Sequence, residues 1–189
     1  MTRLIRWFPL VLGLLLVLGC GAQRKSAESA LDAAQAAYST IAAQATNLAP
    51  DEARAIETAL AGARTTFDQG DFKGTLAAAQ DLQGRIKTLS DGLPALSAKL
   101  QADWKTLSDS VPGALAETQR KLDGFGKPPQ GSPERSTYDN ASTQLAQLKQ
   151  EWEQAGSLAQ QGKLAQAVAS GEDVRSGMVK VLSVLQVGS

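Results

Sequence analysis

Apolar side chains recur at every third or fourth position, almost without interruption, from Ala27 to Leu185. That spacing keeps one face of a helix in register with a core. No alternating run of Val, Ile, Thr or aromatic residues offers a competing strand. The positions between are rich in Ala, Gln, Ser and Lys, and Ala, Gln and Lys are good helix formers. The pattern predicts an all-α protein, a helical bundle of five or six helices built from antiparallel hairpins. A chain of 189 residues is long enough to close a core of its own.

Gly and Pro divide the pattern. The first helix is expected from about Ser26 to Thr46, with Ala27, Leu31, Ala34, Tyr38, Ile41, Ala45 and Leu48 on its apolar face. Pro50 suits the first position of a second helix, and Asp51 and Glu52 suit the positive end of its dipole. That helix presents Ala53, Ile56, Leu60, Ala63 and Phe67. The third carries Phe72, Leu76, Ala79, Leu82, Ile86 and Leu89, and Gly92 and Pro94 predict its end. A fourth follows with Leu96, Leu100, Trp104, Leu107 and Val111, which Pro112 would kink or restart. The segment "GFGKPPQGSP" at 124–133 reads as a linker, placing one helical region at 26–123 and a C-terminal hairpin at 133–189. Ser132 and Pro133 resemble an N-cap and first-turn pair. The fifth helix bears Tyr138, Leu145, Leu148, Trp152 and Ala155. The sixth bears Leu164, Ala167, Val174, Met178 and Val181.

Gly70 and Gly162 are expected to be the helix-turn residues, each a left-handed glycine closing one helix before the next begins. They stand 92 positions apart. At the same offset Ile56 falls on Leu148, Leu60 on Trp152, Ala63 on Ala155 and Asp81 on Asp173. The chain therefore holds two similar helical hairpins, through duplication or through a shared solution to the same packing problem. The stretch "GDFKGTLAAAQ" from Gly70 to Gln80 resembles the turn of a tetratricopeptide unit. The Trp-Leu-Gly-Tyr pattern of that family is missing, and the offset does not match its period. The same hairpin resembles those of small Ala-rich helical lipoproteins of unknown function.

The N-terminus is of a different kind. Arg3 and Arg6 precede an apolar run from Trp7 to Leu18, and polarity rises sharply at Gln23. The run is shorter than a spanning helix needs and has the flanks of a secretory signal. Val17-Leu18-Gly19-Cys20 resembles the lipobox of bacterial lipoproteins. In that family the cysteine receives a diacylglycerol, a peptidase cuts just before it, and the new amine is acylated. The resemblance implies a signal peptide at 1–19, cleavage between Gly19 and Cys20, lipidation of Cys20, and a lipidated tether at 20–25. Such a tether reaches at most about 20 Å. Several buried chains at about 0.8 kcal/mol per methylene would hold the protein on a membrane. Gly21 is not the Asp that retains such proteins in the inner membrane of enterobacteria-like cells. The periplasmic face of the outer membrane is therefore favoured if the source is Gram-negative.

Composition removes whole classes of chemistry. There is no His, and Cys20 is the only Cys, so Ser-His-Asp and Cys-His sites are excluded. No phosphate-cradling glycine loop and no calcium loop occurs. No cofactor or metal site is indicated. Once the signal is removed, acidic groups outnumber basic ones by two, a poor match for nucleic acid. Trp104 and Trp152 fall on apolar stripes and read as core, though an aromatic floor for a ligand uses the same residues. Glu151 and Glu153 diverge on their helix and read as solvated. The expected protein is a lipid-anchored, non-enzymatic interaction or structural protein of the cell envelope, bound to the membrane through its lipid and to an envelope protein partner. The alternatives are a pilotin-like or chaperone-like peptide carrier, which needs an exposed apolar groove, and a carboxylate-only enzyme. The enzyme needs two acidic side chains from different helices in one pocket.

Overall fold

The computed structural model describes residues 8–187, with side chains from 21 to 184 apart from 133. Five helices and no strand are present among them: α1 (Phe8–Leu48), α2 (Pro50–Asp68), α3 (Phe72–Phe125), α4 (Pro133–Gln160) and α5 (Leu164–Val187). The chain divides into two compact units between Leu93 and Pro94, inside α3. In each unit a helix packs on a helical hairpin.

The first unit uses α1, α2 and the start of α3. Its core joins Ala27, Leu31, Ala34 and Tyr38 of α1 with Ile56, Leu60, Ala63 and Phe67 of α2 and Leu82 and Ile86 of α3. Ala27 and Ala34 are completely buried, so α1 lies close to its neighbours. The Gln83 side chain crosses from α3 to donate a hydrogen bond to the Ala30 carbonyl, at 3.0 Å. The second unit uses the rest of α3 with α4 and α5. Leu107, Val111, Leu115 and Leu122 meet Ala141, Leu145, Leu148, Val174, Met178 and Val181.

Both turn glycines are where they were expected, with φ of +84° at Gly70 and +77° at Gly162. Gly70 N–H donates to Phe67 O, and Asp71 N–H to Thr66 O. Gly162 N–H donates to Ala159 O, and Lys163 N–H to Leu158 O. These are two Schellman closures with identical bonding, offset by the 92 positions read from the sequence. The equivalence extends through the flanking helices: Ala53, Ile56 and Ala63 are buried, as are Leu145, Leu148 and Ala155. Thr75, Leu82 and Ile86 are matched by Ala167, Val174 and Met178.

Three expectations need correction. Gly92 and Pro94 do not end a helix, and Pro112 does not restart one, because both prolines lie inside α3. An interior proline costs about 3 kcal/mol. Here Leu93, Leu107 and Val111, each at most 2% exposed, contribute enough burial to offset it. The linker does not separate domains either. Non-helical residues 126–132 lie within the second unit and join α3 to α4. The reason is that α3 carries apolar faces for both cores. Finally, residues 20–25 are not an extended tether but part of α1. Ala22-Gln23-Arg24-Lys25 contains no breaker, and a helix propagates easily once formed. Ser132 does occupy the N-cap of α4 with extended backbone, but its hydroxyl makes no capping bond.

Candidate functional site

The expected lipidation and cleavage residues, Cys20 and Gly19, fall within the backbone range of α1, and the Cys20 side chain lies outside what the structure describes. Arg3, Arg6 and Trp7 also lie outside them. Among the described residues no helix is long and apolar enough to cross a membrane.

What the structure does describe is the end of the first unit nearest Cys20. There α1 runs beside α2, so the α2–α3 turn lies against the residues that follow Cys20. Phe67, 8% exposed, marks the place. The Arg24 guanidinium lies 5.9 Å from its ring centroid and that of Arg64 5.7 Å. Phe72 meets the same ring edge-on, with centroids 5.4 Å apart. Asp71 closes the turn: its carboxylate accepts the Gly74 N–H at 2.8 Å and so caps α3. Sequence reasoning placed Phe67 and Phe72 on apolar faces but gave no role to Arg24, because its partner is forty-three positions away.

A second feature lies between α1 and α2. Leu31, Asp32, Gln35, Tyr38, Glu57, Leu60, Ala61 and Arg64 line an open cleft of about 350 Å³. It gathers one carboxylate from each helix, the arrangement a carboxylate-only enzyme would require. The geometry argues against that use. Asp32 and Glu57 are both exposed, whereas acid–base pairs are tuned by burial. Glu57 is moreover engaged by Tyr38, whose hydroxyl donates to its Oε1 at 2.9 Å and lies 3.3 Å from the Ala53 carbonyl oxygen.

Burial, together with the Glu57 hydrogen bond and charge, pushes the Tyr38 phenol up to about 12. The fold thus holds the neutral form. The stabilisation is complete below the ordinary tyrosine value of about 10 and is lost as pH rises through 12. Phenolate absorbance should show a late titration step near pH 12 that Tyr38→Phe removes. Survival of that step in the variant would disprove the assignment.

Trp104 and Trp152, predicted on separate stripes, are brought together. Their rings stack with centroids 5.2 Å apart and planes 22° from parallel. They are half-buried against the second core rather than enclosed in it. Glu151 and Glu153 are exposed, as their spacing implied. Among the described residues no group of three or more His, Cys, Asp or Glu could hold a metal ion. The exposed large hydrophobic side chains there are Val179 and Val184, both on α5. No protein-family model, no curated protein and no solved structure matches this chain.

Proposed function

We propose that this protein is a lipid-anchored, non-enzymatic helical interaction or structural protein of the bacterial cell envelope. The lipobox-like Val17-Leu18-Gly19-Cys20, behind Arg3, Arg6 and an apolar run, is the observation that carries the reading. The rest of the chain fits it. A chain without His, and with its single Cys assigned to lipid, has little left for covalent or acid–base work. Two helical units with solvated, mixed-charge outer faces suit docking or spacing. The ion pairs on those faces, such as Lys87–Asp91 and Lys105–Asp109, join exposed side chains and contribute little stability. They are better understood as a soluble exterior. The protein partner is an envelope component. Among the described residues, the peptide-carrier alternative has only Val179 and Val184 to offer as exposed large apolar side chains, well short of a groove.

The test is metabolic labelling with a fatty acid in the native host, followed by intact mass of the purified protein. The expected product begins at Cys20 and carries diacylglycerol and an amide-linked chain. Cys20→Ser should take up no label and leave the membrane fraction. Label retained by that variant, or a mature N-terminus elsewhere, would overturn the proposal.

A further inference from the structure

We infer that the α2–α3 turn of the first unit is a membrane-docking surface for anionic lipid headgroups, with Arg24 and Arg64 as its phosphate-binding side chains. The inference rests on Cys20 being lipidated as proposed above. Arg24 follows Cys20 by four residues, about 6 Å along α1, so an anchored chain holds this end within headgroup reach. Both guanidiniums lie within 5.9 Å of the Phe67 ring centroid, so the buried ring holds them at one place on the surface. Planar, always-charged guanidinium forks suit phosphate oxygens better than ammonium groups do.

Cations and acids are equal in number at this end, so the attraction for an anionic partner lies in the cations that ion pairs leave available. Lys25 and Lys73 flank the pair on the same end and are exposed. The nearby acids are Glu28, Asp68, Asp71 and Asp32, the last of which lines the α1–α2 cleft together with Arg64. Asp68 lies 3.8 Å from Arg64, and Asp71 is engaged in capping α3. Among the described residues no carboxylate lies within ion-pair distance of Arg24, Lys25 or Lys73. Such cations facing a bilayer are attracted through its surface potential, and the effect fades within a Debye length. Only this end of the unit is close enough. The α1–α2 junction, near Gln44, lies about 30 Å farther along α1.

The acylated protein also supplies the means of testing. Its single cysteine sulfur is blocked by lipid, so a cysteine introduced elsewhere is the only one to label. Gln69→Cys reports on the turn, and Gln44→Cys on the opposite end; both positions are exposed. Each full-length lipoprotein is labelled with an environment-sensitive fluorophore and reconstituted in vesicles containing phosphatidylglycerol, or in phosphatidylcholine alone. Headgroup spin labels should quench the probe at Gln69 but not at Gln44, and more strongly with phosphatidylglycerol. High salt should reduce the difference. Arg24→Gln and Arg64→Gln should each lower the docked-to-undocked ratio about fivefold. Intact mass separates the two ideas. An unacylated chain would overturn the anchor reading and this inference with it. An acylated chain quenched equally at both positions, or indifferent to lipid charge, would overturn the docking surface alone.

Discussion

Leu145→Ala is expected to lower stability by about 3 kcal/mol, a large part of the 5–15 kcal/mol typical of a folded domain. Leu145 is 1% exposed in α4 and belongs to the cluster that joins α3, α4 and α5. Removing its isobutyl group costs the transfer energy and leaves a cavity. Two of its neighbours in that cluster, Val174 and Val181, are β-branched and stiff at χ1, so they cannot swing in to fill the space. The equivalent residue of the first hairpin is already an alanine, Ala53, 2% exposed. There the Tyr38 hydroxyl comes within 3.3 Å of the Ala53 carbonyl. Urea unfolding followed through Trp104 and Trp152, which pack against this core, is the measurement. The midpoint should fall with the slope unchanged. Lys105→Ala, which removes an exposed ion pair, should move it by less than about 1 kcal/mol. A Leu145→Ala loss that small would mean the second core is not packed as described.

Much of the fold was legible because buried faces obey helical geometry. Ala53, Ile56, Leu60, Ala63 and Phe67 were all read from spacing, and all are buried in α2. Spacing could not show where a helix would persist against its own local chemistry. Pro94 reads as a boundary and Pro112 as a kink or restart, because proline removes an amide donor. Within α3 that cost is local, while the burial that offsets it comes from helices far away in sequence. The same gap explains the misplaced domain boundary. A Gly/Pro segment at 126–132 shows where helix is forbidden, not which helices pack together. At the N-terminal end the lipobox-like pattern is local and contiguous, whereas the Arg24–Phe67–Arg64 cluster is not. It depends on α1 lying beside α2, and sequence periodicity alone does not pair helices. Tyr38 was legible as a buried residue, yet its hydroxyl bond to Glu57 was not.

Valine at either turn glycine is expected to cost about 2 kcal/mol or more, with a graded response to milder substitutions. Gly70 and Gly162 both have φ near +80°, a region that costs an ordinary L-residue about 1–2 kcal/mol and a β-branched one more. A new Cβ meets nothing within 4 Å at either position, so crowding does not contribute and the penalty is purely conformational. The order of stability should therefore be Gly, Asn, Ala, Val, because Asn tolerates the left-handed region best after Gly. Thermal unfolding of the four residues at each position is the measurement. The two positions should respond alike, since their closures share the same pair of backbone bonds. They differ in one respect. Asp71 caps α3 by accepting the Gly74 N–H, whereas Lys163 has no acceptor for the matching amide. Asp71→Ala should add about 1 kcal/mol of destabilisation at the first turn, and Lys163→Ala close to none at the second. If alanine and valine cost the same as asparagine, the backbone would not be held left-handed there. The two hairpins would then share a sequence pattern without sharing its physical cause.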